Sequence, residues 1–219
     1  MTSEKCRAKD PASCRYHGFL QLFSGKDKKA PLFTSQSPVE YESIQQDFWD
    51  TLDFDDQVAI ADWTTNNYQH KLINSALRRG NWSESQYAPV IDKLDTLTNS
   101  YVAPEPRTIY RGVHGHYGIP DLRKNDVYSD RGFMSATSSI STAVRFIAGF
   151  EHPTIFRITT AKGIPVSFKN GMKESEFLLP RSSQYKVTKI TKVKNLEISS
   201  NKHAVMVIDL EELQPENST

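Results

Sequence analysis

The fold of this chain is constrained most by a change in its hydrophobic pattern near residue 104. Between Val39 and about Ser100, apolar residues recur at the 3.6-residue period of amphipathic helices. Beyond Pro104 and Pro106, the apolar runs are short and bounded by turn residues, which is typical of strands. We therefore predict an α+β protein with a single domain over 39–219, in which a helical lobe, 39–103, precedes a β core, 104–213.

The predicted lobe contains four short helices. Asp53 or Asp55 caps the second helix, and Gly80 ends the third. A further short helix in the second half is capped by Ser138 or Ser141. Strands are predicted at 108–110, 132–137, 154–158, 177–179, 185–193 and 204–208.

The charge balance argues against a protein that binds nucleic acid through bulk positive charge. The 27 basic and 26 acidic residues give a net charge of +1, whereas nucleic-acid-binding domains are usually strongly basic. No apolar run reaches the ~18 residues of a membrane helix, and residues 1–19 lack the apolar segment of a secretory signal. We expect no membrane association and no export by a classical signal.

Residues 1–38 are polar and rich in Lys, Ser and Pro, so we predict a flexible segment. It holds both cysteines, Cys6 and Cys14, together with His17. Three interpretations remain open: unmodified thiols, a metal site made of these three side chains, or a disulfide. A structural zinc site uses four ligands, and a disulfide needs an oxidising compartment.

The stretch Glu174–Pro180 places two carboxylates two residues apart, directly before an apolar run. In an extended backbone, Glu174 and Glu176 would share one face while Ser175 points to the other. Two like charges side by side on a rigid strand cost free energy unless a cationic group lies near them. The pattern by itself is also compatible with a strand end that carries two solvated glutamates.

Three motifs follow one another in the second half of the chain, each on or beside a predicted strand. They are Tyr110-Arg111-Gly112, Gly132-Phe133-Met134-Ser135-Ala136-Thr137 and Glu174-Ser175-Glu176. In this order they resemble the mono-ADP-ribosyltransferases of the Arg/Ser/Glu class, which include clostridial binary toxins and phage-encoded transferases. Upstream, Trp63-Thr64 and Ile73–Arg78 are similar to helix signatures of that family. The resemblance covers about Asp62–Asp209 and implies NAD as substrate and a helical lobe packed on a two-sheet mixed β core.

The resemblance implies four catalytic residues. Glu176 would stabilise the oxocarbenium-like ribose of NAD as nicotinamide leaves, a demand that glycosidases also meet with a carboxylate. Glu174 would face the acceptor, and in the family a glutamate here goes with arginine acceptors. Arg111 would hold the phosphates or ribose of NAD, and Ser135 would hydrogen-bond Glu176 and fix its rotamer.

The resemblance also implies a set of residues that bind NAD: Arg111, Gly112, Ser135, Thr137, Phe146, Asn74 and Arg78. Gly112 would let backbone amides approach the nicotinamide amide. Phe146 would stack on nicotinamide, although it also fits an ordinary core aromatic. Phe168 resembles the aromatic that recognises the target in the loop before the two glutamates.

The expected function is transfer of ADP-ribose from NAD to an arginine of a host protein. The alternatives are an NAD glycohydrolase, which would not need Glu174, and a non-catalytic NAD-binding module. We expect a monomer, phage-encoded or injected, that works in the cytoplasm of a bacterial host. A nucleic acid is the alternative acceptor.

Overall fold

The structure is a computed structural model that describes residue 33 and residues 38–64, 69–114, 119–148, 152–166, 174–198 and 201–213. The chain divides into two units, Met1–Thr34 and Ser35–Thr219, and all described residues except Phe33 lie in the second. Cys6, Cys14, His17 and Phe168 lie outside the described residues, so the predictions for them stay predictions.

The helices and strands follow the predicted order, helices first. The helices are α1 (Pro38–Trp49), α2 (Phe54–Thr64), α3 (Gln69–Arg79), α4 (Ala88–Ser100) and α5 (Ile140–Phe146). The strands are β1 (Val102–His114), β2 (Val127–Ser129), β3 (Met134–Thr137), β4 (Pro153–Lys162), β5 (Ile164–Pro165), β6 (Glu176–Leu179), β7 (Gln184–Ile198) and β8 (Asn201–Glu212). This confirms the α+β prediction.

Local signals account for several helix boundaries. The Asp53 carboxylate accepts a hydrogen bond of 2.8 Å from the Asp56 amide, which caps α2 as predicted. Gly80 follows α3 with a φ of +80°, the left-handed conformation that ends helices. The cap of α5 was predicted wrongly: Ser139 lies at the cap, between the two predicted serines, and its hydroxyl accepts from the Thr142 amide.

All eight strands of the described residues join one hydrogen-bonded order, β2-β7-β8-β4-β1-β3-β6-β5. The predicted division into two sheets is therefore not found among the described strands. The sheet is narrowest between β1 and β3, which share a single register pair, Tyr110 with Thr137. We call β2, β7, β8, β4 and β1 the long section, and β3, β6 and β5 the short section.

The helical lobe packs mainly on the short section. A cluster of buried residues from α2, α3 and α4 extends to Phe133, Ile164 and Leu178, all with no exposed surface. Helix α1 reaches the same section through Tyr41, whose ring meets Phe177 edge to face at 5.1 Å. Burial of these apolar surfaces drives the docking. None of the described helices has the length and apolarity that a membrane span requires.

Candidate functional site

Arg111 lies near the end of β1, at the seam between the two sections. It pairs with Phe156 of β4, and its Nη1 donates a hydrogen bond of 2.6 Å to the Ser135 carbonyl oxygen on β3. Its Nε atom is buried and has no hydrogen-bond partner. Burial lowers the pKa of the Arg111 guanidinium, and this shift is opposed by Tyr128, Asp130 and Glu176. A partly buried cation with an unused donor is suited to holding an anionic ligand.

Ser135 and Glu176 lie on adjacent antiparallel strands. Glu176 pairs with Thr137, and Ser135 is two residues before Thr137 on β3. Residues in this diagonal relation share a face and lie within reach of each other. The Ser135 side chain hydrogen-bonds Glu176, so Ser135 connects to Arg111 through its carbonyl and to Glu176 through its side chain.

The Glu176 carboxyl has an unusual charge environment. Burial raises its pKa from 4.5 to about 7, and Glu174 adds to the rise, while the hydrogen bonds from Ser135 and Trp63 and the charge of Arg111 lower it. Desolvation disfavours the ionised form, and a nearby like charge does the same. Near neutral pH this carboxyl is therefore divided between protonated and ionised forms. Such a shift, in a cluster with an arginine, is typical of catalytic groups.

The sequence pattern predicted that the two glutamates lie on one extended strand, but they do not. β6 begins only at Glu176, and Ser175 has a φ of +47°, in the left-handed region that residues with side chains seldom adopt. The extended-chain reason for placing both glutamates on one face is therefore wrong. They remain electrostatic neighbours, since the Glu174 charge contributes to the pKa of Glu176.

Hydrogen bonds to three successive carbonyl oxygens of this strained segment hold it in place. The Thr137 hydroxyl donates to the Glu174 carbonyl, and the Ser138 amide donates to the Ser175 carbonyl at 3.1 Å. The Glu176 carbonyl accepts from the Val166 amide at 3.0 Å and from the Tyr41 hydroxyl at 2.6 Å. Contacts from β3, the residue after β5, and α1 thus overdetermine the backbone, which is how strained conformations persist.

The sequence match covers this whole arrangement. Residues 40–215 match the model of the family described as ADP-ribosyltransferase exoenzyme. The chain belongs to this family. It is an NAD-dependent mono-ADP-ribosyltransferase, as the Arg/Ser/Glu resemblance predicted, and NAD is its substrate. No curated protein sequence matches the chain.

Solved structures of bacterial ADP-ribosylating toxins share the fold of this transferase. Plx2a from Paenibacillus larvae is 18% identical with a TM-score of 0.64, over 80% of this chain and 94% of Plx2a. The enzymatic component of the C2 toxin from Clostridium botulinum is 21% identical with a TM-score of 0.66, over 81% of this chain but only 47% of that one. Exoenzyme S from Pseudomonas aeruginosa, bound to carba-NAD, is 17% identical with a TM-score of 0.61, over 94% of this chain and 92% of its own.

Gly112 and Phe146, both predicted to contact nicotinamide, meet where α5 crosses β1. A Cβ on Gly112 would lie 2.2 Å from the Ala143 carbonyl oxygen and 3.0 Å from Phe146 Cβ. The glycine is thus required for close packing of α5. The alternative of an ordinary core aromatic fails for Phe146, because 53% of the residue is exposed. An exposed aromatic ring beside the transferase site is available to stack on a ligand.

Thr137 and Asn74, two further predicted NAD contacts, are engaged with the backbone. The Thr137 hydroxyl donates to Glu174 and accepts from the Ser139 amide at 3.0 Å. The Asn74 amide donates to the Phe133 carbonyl at 3.0 Å and accepts from the Phe133 amide at 2.9 Å. Both side chains therefore support the walls of the site.

The predicted NAD contact Arg78 forms a bidentate ion pair with Asp130, with distances of 2.9 and 2.7 Å. Its side chain is 44% exposed. Arg78, Asp130 and Tyr128 all influence the pKa of Arg111, which places them in one electrostatic neighbourhood.

Trp63, Tyr41, Tyr128 and Asp130 were not predicted as site residues. Trp63 was noted only as part of a helix signature, and nothing in its spacing indicates a bond to Glu176. Asp130 follows β2 closely and reads as a turn residue. Within the described part of the chain no group of three or more His, Cys, Asp or Glu side chains could hold a metal ion.

Proposed function

We propose that this transferase moves ADP-ribose from NAD to an arginine side chain of a target protein. The observation that carries the proposal is a second carboxylate, Glu174, two residues before the partly buried Glu176 and close enough that its charge raises the pKa of Glu176. One carboxylate serves the NAD ribose, and the other serves the acceptor. Structural relatives support this: the ADP-ribosyltransferase Vis was solved with agmatine, a guanidino compound, and exoenzyme S in complex with a 14-3-3 protein.

The reacting bond is the one between C1′ of the ribose and the nicotinamide nitrogen. Its electron pair stays with that nitrogen, so neutral nicotinamide leaves and positive charge develops on the ribose. The ionised Glu176 carboxylate stabilises this charge, with Ser135 fixing its orientation. Arg111, and Arg78 with it, hold the negative diphosphate, and Phe146 stacks on nicotinamide. Gly112, Thr137 and Asn74 complete the walls against which NAD lies.

The acceptor is an arginine, whose guanidinium is protonated and therefore a poor nucleophile. The Glu174 carboxylate orients it through paired N–H bonds and takes a proton as its nitrogen bonds to C1′. The product is an ADP-ribosylated guanidinium. Phe168, which precedes Glu174, is proposed to contact the target protein. The proposed target is a host protein, and the enzyme is proposed to act as a monomer in the host cytoplasm.

Replacement of Glu174 tests the division of roles. Glu174→Gln keeps the shape but cannot accept a proton, so ADP-ribosylation of agmatine is expected to fall by about two to three orders of magnitude. NAD hydrolysis should stay within about threefold of wild type, because Glu176 still serves the ribose. Nicotinamide release and agmatine labelling measured on one preparation separate the two reactions. Equal loss of both reactions in the variant would refute the assignment. If the wild-type enzyme itself hydrolysed NAD but did not label agmatine, it would be an NAD glycohydrolase.

A further inference from the structure

Two side chains of α3, one helical turn apart, hold the segment that leads into β3. Asn74 pairs both polar atoms of its amide with the backbone of Phe133, at 3.0 and 2.9 Å. Arg78 pairs two guanidinium nitrogens with both carboxylate oxygens of Asp130. Residues four apart on a helix face the same side, so α3 grips residues 130–133 from one face. We call Asn74, Arg78, Asp130 and Phe133 the α3 clasp.

The clasp packs closely against Gly132, which lies between Asp130 and Phe133. The Asp130 carboxylate accepts a third hydrogen bond, of 2.9 Å, from the Gly132 amide, and its side chain is only 12% exposed. A Cβ on Gly132 would lie 2.5 Å from Asn74 Oδ1 and 3.3 Å from Arg78 Nη2. The helix therefore contacts the backbone itself, and the segment has little freedom to shift.

The clasp lies just before the strand that carries Ser135. β3 has four residues and shares only one register pair with β1. All four residues of β3 also pair with β6, Ser135 with Leu178, so that ladder sets the register of Ser135 toward Glu176. The single pair with β1 specifies its position toward Arg111 only weakly, whereas the clasp fixes Phe133, two residues earlier. Ser135 must be placed accurately in two directions, since its carbonyl accepts from Arg111 and its side chain bonds Glu176.

We propose that Asp130 and Asn74 are positioning residues of the transferase, which place Ser135 between Arg111 and Glu176 by holding the entry to β3. This inference rests on the proposed function and extends it to residues that need not touch NAD. Asn74 favours the positioning role, because both of its polar atoms are bonded to Phe133. Asp130 favours it too, because a carboxylate would repel the NAD diphosphate.

Asp130→Asn tests the proposal, since it keeps the size of the side chain and removes the charge that holds Arg78. Three quantities are compared with wild type: kcat for NAD hydrolysis, KM for NAD, and the midpoint of the acid limb, which is the low-pH fall in the pH–rate profile. Misplacement of Ser135 is expected to lower kcat about tenfold to a hundredfold, and release of Arg78, which also holds the diphosphate, is expected to raise KM by a smaller factor. Because the Ser135 hydrogen bond lowers the pKa of Glu176, weakening it should move the limb upward by about half a unit or more. Glu174 and Arg111, the charged groups that act on Glu176, are unchanged in this variant.

The long section offers a matched control. Arg157 and Asp209 form an equally bidentate pair between β4 and β8, at 2.9 and 2.6 Å. Arg157 pairs with Tyr110, the neighbour of Arg111 on β1, so it lies on the opposite face of the sheet. Asp209→Asn removes the same charge and is expected to lower the melting temperature while the acid limb stays in place.

Asn74→Ala serves as the second variant and should move the acid limb in the same direction. A rise in KM at unchanged kcat in Asp130→Asn would overturn the proposal and make the clasp a device for binding NAD. The proposal would also be overturned if the acid limb stayed at its wild-type pH in both variants, or if both variants failed to fold.

A readout without turnover separates this proposal from the proposed function. The Glu176 carboxyl can be titrated by 13C NMR, with Glu176→Gln used to assign its signal. A higher pKa of Glu176 in Asp130→Asn than in wild type would support the positioning role even if no activity were found. An unchanged pKa would refute it even in an active enzyme.

Discussion

The long and short sections of the sheet are built in different ways. In the long section, β7 and β8, of 15 and 12 residues, pair along most of their length, as β1 and β4 do. In the short section β3 and β6 have four residues each, and β5 has two. Side-chain hydrogen bonds hold this section instead: those of Tyr41 and Asn74 come from helices outside the ladder, and that of Thr137 comes from β3 itself.

This difference shows where the transferase can place strained and charged groups. A long ladder fixes each residue by its neighbours and leaves little room for the left-handed Ser175 or the partly buried, charged Glu176. The short section accommodates both because helices and loops hold it from several sides. Side-chain changes in the short section should therefore affect catalysis. Comparable changes in the long section, away from Arg111 and Gly112 at the seam, should affect stability alone.

Glu176→Gln is expected to have the largest effect. The amide cannot counter the positive charge that develops on the ribose, so NAD hydrolysis should fall by about a thousandfold or more. Arginine transfer should fall with it, because both reactions pass through the same charged ribose. Nicotinamide release measures the first, and labelling of agmatine the second. Retention of more than about a tenth of the hydrolysis rate would remove Glu176 from the catalytic centre.

Ser135→Ala should have an intermediate effect with a distinct pH signature. Loss of the hydroxyl removes a hydrogen bond that lowers the pKa of Glu176, so that pKa rises. The active form of Glu176 is the ionised one, so we expect the acid limb of the wild-type pH–rate profile near pH 7, and in Ser135→Ala it should move up by about one unit.

The control for this prediction is Thr188→Val in the long section, where the hydroxyl donates to the Asp209 carbonyl at 3.3 Å. It also removes a single hydroxyl and should leave the limb in place. An equal shift in both variants would break the division between the sections.

The smallest expected effect is on stability. Folding raises the pKa of Glu176 from 4.5 to about 7, so between these values the folded protein binds more protons than the unfolded chain. Stability contributed by this group is therefore lost as the pH rises through that window. Glu176→Gln carries no charge and should melt a few degrees above wild type at about pH 8, with little difference at about pH 5. Calorimetry at the two pH values measures this, and a lower melting temperature for the variant at the higher pH would contradict it.

Much of the molecule could be predicted from the sequence because the signals are local. The 3.6-residue period predicted the four helices of the lobe, and the turn at Gly80 and the cap at Asp53 were read correctly. The order of three motifs predicted the family, which the match over residues 40–215 confirmed.

Only the tertiary structure showed how the two glutamates lie. An i, i+2 pattern predicts a shared face when the backbone is extended, but the φ of Ser175 is set by bonds from Thr137, Ser138 and Val166, which are distant in the chain. The same holds for Gly112, whose requirement comes from the Ala143 carbonyl, and for Asp130, whose partner Arg78 is 52 positions away.

Local periodicity and residue order therefore determined the fold class and the family of this protein, because both are written in contiguous stretches of the chain. Tertiary structure decided the protonation and placement of the reacting groups. Those depend on burial and on hydrogen bonds between residues that meet only when α3, β3 and β6 pack together.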